Sequence, residues 1–161
     1  MTNERIIVLG AGESGTGAAL LAKAKGFDVF VSDQGAIKEK YVQQLEKSGI
    51  DYEQGNHTEE KIFEASTIIK SPGIPESAGL LQRALERGIR VIDEIEFASR
   101  YTDARLIAIT GTNGKTTTTL LTYHLLKSAG YNVGLAGNVG HSLAKQVLEE
   151  HFDFYVVEMS S

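Results

Sequence analysis

Two glycine-rich segments contain residue types that bind phosphate, and the first of them is Gly10–Gly17, with the spacing Gly-x-Gly-x-x-Gly. Glycine permits a tight turn and a close approach of the backbone to a phosphate, while N–H groups at the start of the next helix face the anion. Asp33, at the end of the following predicted strand, supplies a carboxylate that accepts hydrogen bonds from hydroxyl or N–H groups. We predict nucleotide binding at this turn. NAD is the usual ligand of such a motif, and a turn needed only for packing is the alternative.

The second segment lies directly between a predicted strand and a predicted helix. It reads Gly111-Thr112-Asn113-Gly114-Lys115-Thr116-Thr117. Backbone N–H groups can bind phosphate oxygens, Lys115 can neutralise the outer phosphates, and the Thr116 hydroxyl can ligate Mg²⁺. The usual phosphate loop has four residues between the first glycine and Gly-Lys, whereas this one has two. We predict triphosphate binding despite this spacing; the alternative is a threonine-rich helix start with a solvated lysine.

Two further polar residues follow predicted strands in the second half of the chain. Glu158 leaves the apolar run 154–157, where a carboxylate beside a phosphate loop can hold Mg²⁺ directly or through water. Asn138 lies in the loop Gly137–Gly140, and its amide could donate to a ligand or serve only the turn. The four histidines have no metal-ligand spacing. The mixed charges of 38–47 and 94–100 are expected to be solvated helix faces.

The elements that position these residues alternate between strand and helix. The predicted strands are 5–9, 28–32, 50–53, 66–70, 89–92, 105–110, 132–136 and 153–157. The predicted helices begin after the first glycine turn and then cover 37–47, 59–65, 77–87, 94–100, 115–128 and 142–150. Such alternation predicts an α/β fold with parallel sheets, right-handed crossovers and ligands at the carboxyl ends of the strands.

The pattern restarts near residues 98–104, which places a domain boundary there. We predict a Rossmann-like parallel-sheet domain at residues 1–98 and the start of a phosphate-loop α/β domain at residues 99–161. Both prolines lie in the loop Ser71–Pro75, which neither a strand nor a helix can traverse. The second part has three strands, of which 105–110 is expected to be buried, and two helices. It resembles a domain cut short, with open sheet edges.

Composition excludes several classes of protein. The chain has 161 residues, a net charge of −5 and no cysteine. Without cysteine it forms neither a disulfide nor a zinc–thiolate site. An acidic chain without a basic cluster gains little from nucleic acid or anionic membranes. No apolar stretch approaches the roughly 18 residues of a membrane span. We expect a cytoplasmic protein, a monomer, with neither nucleic acid nor membrane as a partner.

Several motifs together resemble the Mur ligases of peptidoglycan synthesis, whose short phosphate loop is shared with folylpolyglutamate synthetase. These motifs are Gly10–Gly15, Ser71–Ile74, Asp93–Phe97, Gly111–Thr117, Gly137–Gly140 and Val157–Ser161. Asn113 and the ending Glu-Met-Ser-Ser resemble the branch of the family that adds D-glutamate. The resemblance implies ATP-dependent addition of D-glutamate to UDP-N-acetylmuramoyl-L-alanine through an acyl phosphate, with Mg²⁺.

The resemblance also implies a role for each motif residue. The backbone around Gly12, Glu13 and Ser14 would hold the diphosphate, Asp33 would contact uracil, Ser71 and Gly73 would line the UDP site, and Asn138 would touch the muramoyl group. Lys115 and the loop 111–117 would hold ATP, and Thr116 and Glu158 would serve Mg²⁺, which makes Lys115 and Glu158 the expected catalytic residues. Some members have Thr-Arg after the uracil-contacting Asp, whereas this chain has Gln34-Gly35.

Two other functions fit part of the sequence. The first glycine motif alone favours an NAD(P)-dependent oxidoreductase, although such an enzyme has no evident need for a triphosphate loop. A non-catalytic nucleotide-binding module is the second alternative. In the resembled family, residues that bind adenine, D-glutamate and a second metal lie further along the chain than Ser161. We therefore expect this chain alone to be catalytically inactive.

Overall fold

The computed structural model describes residues 4–75 and 77–160. Its strands are β1 (Arg5–Leu9), β2 (Asp28–Asp33), β3 (Asp51–Gln54), β4 (Thr67–Lys70), β5 (Arg90–Asp93), β6 (Arg105–Ile109), β7 (Val133–Gly137) and β8 (Phe154–Glu158). Its helices are α1 (Glu13–Ala24), α2 (Glu39–Lys47), α3 (Glu59–Ile62), α4 (Gly79–Glu86), α5 (Glu94–Ser99), α6 (Lys115–Ser128) and α7 (Leu143–Glu149). Ser161, the last residue of the motif 157–161, lies outside the described residues.

The strands form two parallel sheets, which confirms the predicted α/β class. The first sheet has the order β3-β2-β1-β4-β5, and the second has the order β6-β8-β7. Every pair of adjacent strands in these sheets is parallel. The strand order of the first sheet reverses at β1, so a crevice opens at the carboxyl end of this strand, where the first glycine turn lies.

β1 is the centre of the first sheet because its residues are apolar on both faces. Ile6 and Val8 belong to one buried cluster, and Ile7 and Leu9 belong to another on the opposite face. A strand buried on both sides reads as a continuous apolar run, as 6–9 does. The described part of the chain contains no helix with the length and apolarity needed to cross a membrane.

The two sheets meet through helices. α1 and α5, from the unit built on the first sheet, pack against α7, from the unit built on the second sheet. One apolar cluster continues across this contact, since it contains Ala18 of α1 together with Leu143 and Val147 of α7. The contact therefore fixes the carboxyl ends of β1 and β7 relative to each other.

Three expectations about individual elements were wrong. α2 begins at Glu39 rather than at residue 37, because the backbone N–H of Ile37 donates to the side-chain oxygen of Gln54 at 2.9 Å. α3 is a single turn that ends at Ile62. β6 is not buried: it is an edge strand, and Ala108 is exposed on it. Apolar composition alone does not reveal whether a strand is central or lies at an edge.

Candidate functional site

The first glycine turn approaches the loop after β4 so closely that a side chain at Gly10 would not fit. Gly10 has a φ of +89°, and a Cβ atom there would lie 2.8 Å from Cβ of Ser71. The Ser71 hydroxyl lies 3.4 Å from the Gly10 carbonyl oxygen. Glycine is thus required both by the left-handed backbone and by this contact.

The turn presents the start of α1 to solvent. The helix begins at Glu13, and no side chain in the described ranges caps it at Gly12. Uncapped N–H groups and the helix dipole make this end suitable for an anion. The Glu13 side chain itself points elsewhere, because its carboxylate lies 3.2 Å from Nδ1 of His141 and 3.4 Å from the backbone N–H of Ser142. Only the backbone of Glu13 is therefore available to a phosphate.

Asp33 holds the turn in place. Its Oδ2 accepts a hydrogen bond from the backbone N–H of Ala11 at 2.6 Å, and its Oδ1 accepts from that of Gly35 at 2.8 Å. Each carboxylate oxygen can accept a second hydrogen bond. The geometry leaves Asp33 able to contact a ligand while it fixes the loop between β1 and α1.

Two neighbouring clefts contain most of the predicted substrate residues. The larger has a volume of about 670 Å³ and is lined by Gly10, Asp33 and Gly73 among others. The smaller, of about 450 Å³, lies between the two units and is lined by Ser14 and Asn138. Ile74 and Pro75 line both clefts, so the loop after β4 forms their common wall. A ligand with two ends could occupy both clefts.

The second glycine-rich loop leads into α6 with the geometry of an anion site. Gly114 is the residue before the helix and has a φ of +75°. The ammonium of Lys115 lies 2.7 Å from the carbonyl oxygen of Gly111, so the side chain folds back over the loop. Thr116 and Thr117 are exposed in the first turn of α6. The loop and the start of α6 thus contain a cation, hydroxyl groups and backbone N–H groups, which are the groups that bind phosphate.

The three strands of the second sheet bring their carboxyl ends together. Glu158 is paired with Ile109 on one side and with Gly137 on the other. The backbone N–H of Asn138 donates to the carbonyl oxygen of Glu158 at 3.0 Å. The phosphate loop and the Asn138 loop therefore leave the sheet on either side of Glu158.

Glu158 has an unusual environment for a carboxylate. It is 5% exposed, and its Oε2 has no hydrogen-bond partner among residues 4–75 and 77–160. A buried carboxylate oxygen without a partner is costly unless a ligand satisfies it. Within the same ranges, no group of three or more His, Asp or Glu side chains could hold a metal. The donor set therefore fits a cation that takes its remaining ligands from hydroxyl, water or phosphate oxygens.

One buried acid joins the two units and was wrongly expected to be solvated. Glu94, the first residue of α5, is 2% exposed. Its Oε1 accepts from the Ser142 hydroxyl at 2.8 Å and from the backbone N–H of Ala144 at 2.6 Å. Asp93 caps α5 by accepting from the backbone N–H of Glu96 at 2.7 Å. The mixed charges of 94–100 therefore include one buried acid, Glu94, whose carboxyl group binds the start of α7.

Two known protein families match the two parts of this chain. Residues 4–93 match the family described as "Mur ligase MurD-like, N-terminal domain", and residues 109–161 match "Mur ligase middle domain". The chain belongs to the Mur ligase family. This membership confirms the resemblance drawn from the motifs, and it separates the chain from the NAD(P)-dependent oxidoreductases that the first glycine turn alone would fit.

Similar Mur ligases extend well beyond the present chain. A relative from Bacteroides fragilis named UDP-N-acetylmuramoylalanine--D-glutamate ligase is 64% identical over 158 residues, covering 98% of this chain and 36% of the relative. A relative of the same name from Bacteroides thetaiotaomicron is 61% identical with the same coverage. A solved murein peptide ligase from Psychrobacter arcticus shares the fold, with a TM-score of 0.59 and 24% identity over 97% of this chain and 37% of that protein.

Proposed function

We propose that this Mur ligase chain is the first part of an ATP-dependent ligase that adds D-glutamate to UDP-N-acetylmuramoyl-L-alanine in peptidoglycan precursor synthesis. The observation that supports this most directly is the position of Glu158. Its strand lies between the strands that lead into the phosphate loop and the Asn138 loop, and its Oε2 has no hydrogen-bond partner among the described residues. Asn138 in turn lines the same cleft as Ser14. The ATP site and the sugar-nucleotide site would thus lie next to each other at the carboxyl ends of the second sheet.

The chain would bind the sugar nucleotide through its first unit. Residues 1–98 would form the UDP-substrate domain, and residues 99–161 would begin the ATP domain. The N–H groups at the start of α1, from Gly12 to Ser14, would hold the diphosphate. Asp33 and Gly73 would line the nucleoside end in the larger cleft, with Ser71 supporting the turn behind them. Asn138 would contact the muramoyl end in the smaller cleft.

The second unit would bind ATP and Mg²⁺. Residues 111–117 would surround the phosphates, with Lys115 donating to their outer oxygens. Glu158 and Thr116 would hold Mg²⁺, which would supply charge stabilisation during phosphoryl transfer. Activation of the substrate carboxylate as an acyl phosphate would provide the leaving group for attack by the D-glutamate amine. Lys115 would stabilise the charge that develops on the transferred group.

A titration and an activity assay test this proposal together. Calorimetric titration of the full-length protein should detect binding of UDP-N-acetylmuramoyl-L-alanine and none of NADH. The same protein should form the D-glutamate product only with ATP and Mg²⁺. Binding of NADH alone, or product formation from another amino acid in preference to D-glutamate, would overturn the proposal. We expect the 161-residue chain by itself to bind the UDP substrate without catalysing ligation. We also propose that the protein is a monomer and that it acts in the cytoplasm.

A further inference from the structure

The side chains of Glu53, Ser32 and His57 form a chain of hydrogen bonds, here called the relay, that ends in the larger cleft. Ser32 of β2 is 0% exposed, and its hydroxyl lies 2.7 Å from Oε1 of Glu53 and 2.7 Å from Nδ1 of His57. His57 lines the cleft together with Asp33. Ser32 and His57 are 25 positions apart in the chain, on β2 and on the loop after β3. The fold, rather than local sequence, assembles the relay.

The direction of each hydrogen bond follows from the charge on Glu53. Burial raises the pKa of the Glu53 carboxyl, but hydrogen bonds from Thr58 and Ser32 and the charge of Lys61 outweigh burial, so that the pKa lies below its usual range. Glu53 is therefore ionised at neutral pH, and a carboxylate only accepts hydrogen bonds. Ser32 must donate its single proton to Glu53.

This leaves one role for Nδ1 of His57. Because the Ser32 proton is used, its oxygen accepts, and Nδ1 of His57 must be the donor. In a neutral imidazole only one nitrogen carries a proton. Nε2 of His57 is then an acceptor, and the described residues form no hydrogen bond to it. The relay fixes the tautomer of a histidine on the wall of a ligand cleft.

We propose that His57 is a specificity-determining residue whose Nε2 accepts a hydrogen bond from the nucleoside of the bound UDP substrate. This inference rests on the proposed function, which places the nucleoside in the larger cleft. Two kinds of donor on uridine have the required chemistry: the N3–H of uracil and the hydroxyls of ribose. Ser32 and Glu53 are positioning residues, since they act on the substrate through His57.

Two substitutions distinguish the role of Nδ1 of His57 from that of Nε2. In His57→Asn, the side-chain amide can reach the position of Nδ1 but not that of Nε2, whereas in His57→Gln the amide oxygen can reach the position of Nε2. UDP binding to the full-length protein is measured by calorimetry. His57→Asn should weaken it about three- to tenfold, the range of one net hydrogen bond, and His57→Gln should retain affinity within about twofold of the original. His124→Asn, at an exposed position of α6, is the matched control.

Nucleotide analogues identify the donor and keep the test independent of folding. UDP, N3-methyl-UDP, 2′-deoxy-UDP and 3′-deoxy-UDP are titrated against the original protein and His57→Asn. The loss of affinity caused by His57→Asn should be absent for the one analogue that lacks the group donating to Nε2. Equal losses with all four nucleotides, or none with UDP, would refute the role of His57. If the original protein failed to bind UDP at all, the proposed function would fail instead, so the two failures are distinguishable.

Ser32→Ala tests whether the relay positions the histidine. Without the Ser32 oxygen, Nδ1 loses its acceptor and the proton can reside on either nitrogen. The affinity advantage of UDP over the identified analogue should therefore shrink, although His57 is still present. An unchanged ratio of the two affinities would show that Ser32 contributes only to packing.

Discussion

At the scale of single residues, Lys115 is the side chain on which the proposed phosphate site most depends. Its ammonium lies at the loop that begins with Gly111, where it would meet the outer phosphates of ATP. In the full-length protein, Lys115→Ala should reduce kcat for ligation to background, a fall of about a thousandfold. Affinity for the UDP substrate, measured by calorimetry, should change little.

The control for this substitution lies on the same helix. Lys127→Ala, in the last turn of α6, removes an equal charge far from the loop and should retain normal turnover. Ligation by Lys115→Ala at the original rate would exclude the assigned role. A parallel loss of UDP-substrate binding would instead indicate a folding defect.

Glu94 makes stability depend on pH. Burial raises the pKa of its carboxyl, hydrogen bonds from Ala144 and Ser142 oppose the rise, and the neighbouring Asp93 and Glu13 charges add to it. A carboxyl whose folded pKa exceeds its unfolded value, about 4.3, stabilises the fold below the unfolded pKa. That contribution is lost as the pH rises through the folded pKa. The free energy of unfolding should therefore decrease across this window, and Glu94→Gln should remove part of the decrease.

Urea denaturation at a series of pH values from about 4 upward measures this effect. Glu96→Gln, at an exposed position of the same helix, is the matched control because it makes the same chemical change on the surface of α5. Glu94→Ala should in addition cost about 1–3 kcal/mol at every pH, because the Ser142 hydroxyl and the Ala144 N–H would lose their acceptor. Equal pH profiles for Glu94→Gln and the original chain would contradict the assignment.

At the scale of elements, the contact between α1 and α7 depends on one glycine. A Cβ atom at Gly17 would overlap the Ser142 hydroxyl and lie 3.0 Å from its Cβ. Gly17→Ala should therefore destabilise the chain by about 1–3 kcal/mol, as overpacking does in other cores. Gly12→Ala, at the start of the same helix, would meet no atom within 4 Å and should cost much less. Chemical denaturation of both variants compares the two; equal losses would show that α7 can move aside.

The elements were predictable to the extent that local sequence determines them. The apolar run of β1, the glycine turn and Asp93 as a helix cap all depend on neighbouring residues, and the structure contains each of them. Glu94 and Ser142 are 48 positions apart, and no local pattern distinguishes a buried acid from a solvated one. The relay through Ser32 was missed for the same reason. Its histidine shows no metal-ligand spacing and acquires its partner only when β2 and β3 pair.

The predicted site residues stand at the ends of the predicted strands, but their shared clefts could not be derived from sequence. The order β3-β2-β1-β4-β5 places Asp33 and Gly73 at one cleft although they belong to different crossovers. The packing of α1 on α7 places Ser14 beside Asn138. Their roles in binding remain predictions that the proposed titrations address.

At the scale of the whole molecule, the two sheets differ in how well they are covered. β1 and β4 are buried on both faces, whereas β6 is an edge strand and α6 carries Leu121 and Leu125 at 55% and 59% exposure. In the 161-residue chain, amide hydrogens of β6 and α6 should therefore exchange with solvent faster than those of β1 and β4. Hydrogen exchange followed by mass spectrometry measures the difference. Uniform protection of both sheets would show that the chain unfolds as one cooperative unit.

The loop that separates the two clefts also bears on the entropy of binding. Pro72 and Pro75 each fix one backbone dihedral, and the backbone N–H of Ile74 closes a turn on the carbonyl oxygen of Ser71 at 3.0 Å. A wall already shaped in the free protein loses little conformational freedom when a ligand lies against it. Replacing these prolines would remove part of the lining, and each binding event would then also have to order the loop.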